Sequence, residues 1–324
     1  MKKGIFRITL LMIIVSSVIF LSSCNKDNST SSELTDQQFI QSVILNGYSS
    51  TSFDEDNVMS RDTTDLNDGS AVSDDGTMMS PIDSLKRWGR IITGVNVNYN
   101  INPSGDTMFT VNLTRTITGN YRIIGYYNLG QIDSVNKPYT EVFYRNIVFK
   151  RVARTNYPRL NWRLYKVSCL DGETTQPQTG SSLVQINKVE VYKNSSGTPS
   201  YTFNGPNFQD STIFTTRYFG GAGIPYVQRG DQVKILVYTT SQETDPDYVS
   251  WHWARNSFGF HRQKFELLSQ SGNQRVYQKT FNIYSNHGMG CFNGYISAST
   301  HESLYDDDIS KFASDEVGIP YWVF

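Results

Sequence analysis

The stretch Val95-Asn96-Val97-Asn98-Tyr99-Asn100-Ile101 alternates apolar and amide side chains without a fault, and its reading decides the fold class. Successive side chains of an extended chain point to opposite sides. A period of two therefore gathers Val95, Val97, Tyr99 and Ile101 on one face and the asparagines on the other, as in a half-buried strand. Pro103-Ser104-Gly105-Asp106 follows with turn chemistry, and further strands are expected over 109–118, 121–127, 142–153 and 162–168. Upstream, Thr35-Asp36-Gln37-Gln38 offers a cap, Phe39, Ile40, Val43, Ile44 and Leu45 recur at helical spacing, and Asn46-Gly47 is a stop. One short amphipathic helix is expected there, and a second from Pro81, with Leu85 and Trp88 on one face. Between them, residues 49–80 are rich in Asp among Ser, Thr and Gly, and read as a long acidic loop.

Downstream, Asp171-Gly172-Glu173-Thr174-Thr175-Gln176-Pro177-Gln178-Thr179-Gly180 has the composition of a linker. Strand candidates over 184–192, 233–238, 248–253, 264–268, 276–283 and 295–299 then follow, with Gly, Pro or Asn between them. The expected fold is mostly β, α+β overall. A small domain of helices and antiparallel sheet spans 35–170, a linker 171–180, and an antiparallel β-sandwich 181–324. One continuous β body over the whole chain is the alternative. The order of helices then strands ending in Trp162-Arg163-Leu164-Tyr165 resembles the nuclear-transport-factor-2-like α+β cone. Gly230-Asp231-Gln232-Val233-Lys234-Ile235 resembles the turn into a strand of bacterial immunoglobulin-like modules.

The N-terminus carries Lys2, Lys3 and Arg7, then an apolar run from Ile8 to Leu21, the layout of a cleaved secretory signal over 1–23. The run is shorter than the roughly 20 apolar residues of a spanning helix. It ends in Leu21-Ser22-Ser23-Cys24, which resembles the lipobox of bacterial lipoproteins. That resemblance implies cleavage before Cys24, acylation of its thiol and amine, and a membrane partner reached through the lipid. Residues 24–34, polar and Ser-rich, read as a flexible tether. No Asp follows the Cys directly, which by the same resemblance favours the outer membrane, periplasm- or surface-facing.

A net charge of -1 with 18% charged residues gives no overall basic excess, so nucleic acid is not an expected partner. Arg145, Lys150, Arg151, Arg154, Arg159, Arg163 and Lys166 nevertheless fall in a stretch without one acid. The face they form can meet anionic phosphates, an anionic glycan or the acidic loop. Cys169 and Cys291 can pair in an oxidising compartment or sit as two buried thiols.

The chemistry-bearing motifs are sparse. His301-Glu302 lacks the second His of a zinc-protease helix, since Tyr305 stands there. There is no G-x-S-x-G elbow and no phosphate-binding loop. Cys291 with His301 matches no nucleophile signature. Glu302, Asp306 and Asp308 are candidate calcium ligands, because clustered carboxylates repel unless a cation lies between them. No other cofactor is expected. Tyr248, Trp251 and Trp253 are candidate glycan contacts, flat rings suited to a sugar face, with burial in a core as the other reading. The expected function is that of a non-catalytic envelope lipoprotein binding a protein partner or a glycan. The alternative is a hydrolase using carboxylates scattered in sequence.

Overall fold

The computed structural model describes residues 35–45, 81–127, 130–215, 223–255 and 259–324. The signal segment, Cys24, the tether and the acidic loop 49–80 lie outside the described residues. Helix α1 (Asp36–Leu45) stands where its cap and spacing place it. Three long strands follow, β1 (Ile82–Ser104), β2 (Met108–Tyr127) and β3 (Gln131–Arg151). Next come α2 (Pro158–Asn161), β4 (Trp162–Ser168), β5 (Leu170–Gln176), α3 (Gly180–Leu183), β6 (Val184–Lys193), β7 (Tyr201–Asn204), α4 (Phe208–Ser211), β8 (Ile213–Thr215) and β9 (Tyr226–Val227). The chain finishes with β10 (Gln232–Ser241), β11 (Tyr248–Arg255), β12 (Gly259–Lys264), β13 (Glu266–Ser271), β14 (Gln274–Asn282), β15 (Gly290–Ser299), α5 (His301–Tyr305) and β16 (Ser314–Val323).

The larger sheet runs β1-β2-β3-β5-β16-β15-β11-β12, with β4 beside β3, β8 beside β4 and β9 beside β16. It curls into a half-barrel, and the smaller sheet β13-β14-β10-β6-β7 forms the second layer of a mostly β, sandwich-like fold. The opening alternation holds from Val97 onward: Val97, Tyr99 and Ile101 pair with Arg115, Leu113 and Val111 of β2 and are half-buried, the asparagines between them are exposed, and Val95 at the start of the stretch is exposed as well.

Strands expected over 109–118 and 121–127 are one continuous β2, the one expected over 264–268 divides between β12 and β13, and two further elements change in kind. Pro81 does not open a helix; Ile82 opens β1. The spacing of Leu85 and Trp88 arises because register shifts between Ile82 and Ser84 and between Leu85 and Arg87 break the period of two. A bulge inserts one residue and turns the next side chain back to the same face, which imitates helical spacing. The expected linker 171–180 is also corrected. Leu170–Gln176 is β5, paired with β3 on one side and β16 on the other, so one sheet runs through the division expected there. Its glycine answers a close approach: a Cβ on Gly172 would lie 2.2 Å from the Phe143 ring. Asp36–Phe324 is one compact unit.

The apolar side chains gather into three groups. Between the two sheets lie Ile186, Val189, Val237, Val249, Ile296 and Val317. Inside the curl, Trp88, Tyr121, Phe143, Tyr248, Tyr295 and Phe312 pack together. Beneath α1, Ile40 packs with Val111, Phe149 and Trp162 at the far end of β1–β3. Burying one large apolar side chain contributes about 1.5–3 kcal/mol, so the groups within the two main layers carry most of the stability.

Candidate binding pocket at the mouth between the sheets

Strands β11, β15 and β16 are covered on both sides, so their two side-chain faces meet different interiors. Tyr248, Ser250 and His252 enter the curl, whereas Val249 and Trp251 face the smaller sheet. Tyr295, Ser297 and Ser299 of β15 enter the curl, opposite Ile296 and Ala298. Glu316 of β16 does the same, opposite Val317.

The interior of the curl is polar at its centre. Arg90 donates from Nε to Glu141 Oε1 at 3.0 Å, from one terminal nitrogen to Glu316 Oε1 at 2.6 Å, and from the other to the Tyr295 hydroxyl at 3.4 Å. Ser314 donates to the same Glu316 oxygen at 2.5 Å. Burial pushes the Glu316 carboxyl up, and the Arg90 guanidinium pulls it back. His252 Nε2 lies 2.7 Å from Ser250 Oγ and 2.9 Å from Ser297 Oγ, with its ring stacked on Tyr295 at 4.2 Å. Two carboxylates, a histidine and two serines form a familiar hydrolytic kit, and none of these side chains is more than 1% exposed. A catalytic acid or base must come within hydrogen-bond reach of a substrate. These groups are sealed by Trp88, Tyr121 and Phe312, so the arrangement serves as a cross-link across the curl.

The acidic cluster at the chain's end is compensated by lysines. Buried Lys137 donates to the backbone oxygens of Glu302 and Lys311 at 2.8 and 2.7 Å. Its pKa is pulled down to about 8 by burial, against the upward pull of Asp306, Asp308, Asp307 and Glu302. Lys311 Nζ lies 2.9 Å from Glu302 Oε2, Asp306 Oδ1 accepts the Asp308 N–H at 2.8 Å, and Asp308 Oδ1 accepts from Ser310. Among the described residues no group of three or more His, Cys, Asp and Glu is placed to hold a metal ion. The calcium expectation at Glu302, Asp306 and Asp308 is corrected accordingly: the positive charge between these carboxylates belongs to Lys137 and Lys311.

Of the candidate glycan contacts, Tyr248 and Trp251 are buried, as the core reading has it. Tyr248 points into the curl, edge-on to Trp88 at 5.3 Å and 89°, on the face opposite Trp251. Three-residue spacing along a regular strand puts two side chains on opposite sides. The Trp253 side chain lies outside the described residues, although its backbone pairs with Gly294 and His261. Cys169 is buried; the side chain of Cys291 lies outside the described residues, and with it the choice between a bridge and two thiols.

Trp251 instead forms a wall of a pocket. Gly294 on β15 lets the indole lie close against the sheet, since a Cβ there would sit 2.2 Å from it. From this wall a cavity of about 80 Å³ opens between the sheets, lined by Tyr201 and Phe203 of β7, Phe281 of β14, Ile319 and Tyr321 of β16, and Tyr284. Gln263, Asn282 and His287 supply the few polar side-chain groups of its lining besides the tyrosine hydroxyls and the Trp251 indole N–H. His287 Nδ1 lies 2.8 Å from the Gly288 oxygen, so in the neutral ring Nδ1 carries the proton and Nε2 is left as an acceptor.

Around the mouth the aromatic surface continues outward. Tyr226 is 44% exposed, Tyr284 45% and Phe324 43%. Tyr226 meets Tyr201 at 6.4 Å and Phe324 at 6.0 Å, and Phe324 stacks on Trp322. Lys193 Nζ lies 4.0 Å from the Tyr226 ring centre and donates to the Tyr226 backbone carbonyl at 3.2 Å, holding the ammonium over the ring face. Sequence reasoning singled out only Trp251 of this set. These aromatics come from a two-residue strand, a loop and the end of the chain just past β16, segments far apart in sequence.

No protein-family model matches this chain, and no curated protein matches it.

Proposed function

We propose that this protein is a cell-envelope lipoprotein that acts by binding, held at the outer membrane through acylated Cys24, and that its pocket receives an apolar group of an envelope protein partner. One observation carries the binding reading: an open apolar recess is lined by half-exposed Tyr284 and by Tyr201, with exposed Tyr226 against Tyr201 and Phe324 against Tyr226, while the carboxylates and histidine of the interior are sealed. Contiguous exposed aromatic surface around a recess is characteristic of interaction sites, where a partner's anchor side chain loses its water in a preformed pocket. The lining favours a protein anchor over a glycan, because sugars need a denser set of polar partners than Gln263, Asn282, His287 and tyrosine hydroxyls provide. The lipid anchor rests on the Leu21-Ser22-Ser23-Cys24 sequence. Among the described residues no helix is long and apolar enough to cross a membrane.

The test is a photo-crosslinking side chain placed at Tyr284 of the full chain in living cells, with Leu268 of β13 as control position. A discrete protein adduct from position 284, absent at 268 and lost when Gln263→Trp fills the recess, is expected. Adducts equally abundant at both positions, or unaffected by the filled recess, would sink the proposal. Metabolic acyl labelling, lost in Cys24→Ala, checks the anchor separately.

A further inference from the structure

We infer that the basic tip of the β1–β3 extension is the surface this protein lays on the phosphate-bearing membrane that anchors it, an inference that rests on the acylation of Cys24.

Strands β1, β2 and β3 have 23, 20 and 21 residues. At about 3.3 Å per residue they form a blade well beyond the usual strand length of about 5–6 residues. One end of the blade continues through the loop 152–157 and α2 into β4. From residue 142 to residue 170 the chain contains no acid. Arg154 is 72% exposed and sits a loose 3.9 Å from Asp106, itself 82% exposed. Arg159 is exposed nearby, and Lys166 and Lys150 lie 5.2 and 5.0 Å from the ring of Tyr165. Interleaved with these cations are exposed apolar side chains: Val152, Tyr157, which is 56% exposed, and Leu160.

Cations attract anionic headgroups, and tyrosine and short apolar side chains settle at the headgroup level, so this mixture has the chemistry of a membrane-surface contact. An acidic protein would match the charges and leave Tyr157 and Leu160 without a purpose.

The start of the described chain lies at the same tip. Asp36, the first residue of α1, is paired with Arg151 at 2.5 Å, and Ile40 packs with Phe149 and Trp162. Eleven residues separate Cys24 from Asp36, and the twelve Cα steps between them span at most about 40 Å. An acyl chain on Cys24 therefore holds this end of the molecule within that distance of the bilayer.

The experiment uses the full acylated chain with a solvatochromic side chain in place of Tyr157, reconstituted into vesicles of phosphatidylglycerol or of phosphatidylcholine. The label at 157 is expected to shift to the blue and be quenched by brominated acyl chains in the anionic vesicles only, while the same label at Leu268 does not respond. Added salt and the substitutions Arg154→Glu, Arg159→Glu and Lys166→Glu are expected to abolish the shift. These sites lie outside the core, and if the triple reversal fails to fold, the three glutamine replacements make the same test. No shift on either vesicle, an equal shift on both, or a shift that survives charge removal overturns the inference. A shift that appears only when residues 49–80 are deleted also overturns it, because the basic tip then belongs to the acidic loop. The mass of the Cys24 peptide reports the anchor on its own, so failure of acylation and failure of the contact are told apart.

Discussion

The two interiors that share strands β11, β15 and β16 are built from opposite materials. On one side Val249, Ile296 and Val317 meet an apolar layer from the smaller sheet. On the other, Ser250, His252, Ser297 and Glu316 meet Arg90 and Glu141 inside the curl. The apolar layer needs only shape and volume, and where it opens between the sheets it forms a pocket. The polar interior needs a partner for every charge, because an ion removed from water costs several kcal/mol unless it is paired and hydrogen-bonded. Glu141, Glu316 and His252 thus lie buried inside the curl, and the open recess is lined mainly by apolar groups.

The largest expected effect comes from breaking the polar side. Arg90→Met leaves Glu141 and Glu316 buried without their shared cation and is expected to cost about 3–5 kcal/mol, read as a lowered midpoint in urea unfolding. Adding Glu141→Leu and Glu316→Leu should restore most of the loss, since apolar replacements of a buried ionic group are often neutral. A cost below about 1 kcal/mol for the single change would mean that water reaches this interior.

Next come two glycines, one from each side. Gly172→Ala drives a methyl into the Phe143 ring inside the curl, and Gly294→Ala drives one into the Trp251 indole on the pocket side. Each is expected to lose about 1–3 kcal/mol of stability from overpacking. Only Gly294→Ala should also weaken the partner adduct at Tyr284. Equal effects of both on that adduct would mean that the pocket is not a separate site.

A pH experiment sharpens the contrast from the edge of the curl. Burial, then Glu173 and Asp210, raise the Asp171 carboxyl from 3.8 to about 7. The folded chain therefore holds this proton after the unfolded chain has released it. The stability it contributes is fully present below pH 3.8 and is lost as the pH rises through about 7. Asp171→Asn should flatten that dependence, so the stability difference between variant and wild type grows in the variant's favour from acid to neutral pH. Parallel curves would show that the carboxyl is solvated.

The smallest effect belongs to the rim. Tyr284→Ala, at a half-exposed position, is expected to change stability by no more than about 0.5 kcal/mol. The same substitution should lower retention of the partner captured through a crosslinker at Tyr226. A rim that costs stability without changing binding would be core, and the distinction between the two interiors would lose its functional half.

Where local pattern and final environment agree, the fold was legible in the chain. The alternation from Val97 to Ile101 marked β1, and the helical spacing from Asp36 marked α1, because the period of each stretch matches the element it forms. The strand β5 was hidden for the reverse reason. Its inward positions are Gly172 and Thr174, chosen for the close approach of Phe143 and for a bond with Ser314, so it carries no hydrophobic signal. The bulged start of β1 was hidden because two register shifts gave it a helix's spacing.

The sequence by itself determined the β character, the helix that leads into it and the basic stretch without acids, since each depends only on neighbours along the chain. The tertiary structure alone decided that Arg90 meets Glu141 and Glu316, that Tyr248 and Trp251 part to opposite interiors, and that Tyr201, Trp251, Tyr284 and Tyr321 converge on one recess. Those residues are brought together by strand order and curl. Sheet pairing between distant segments is set by the packing of whole faces, and no short window of the chain contains it.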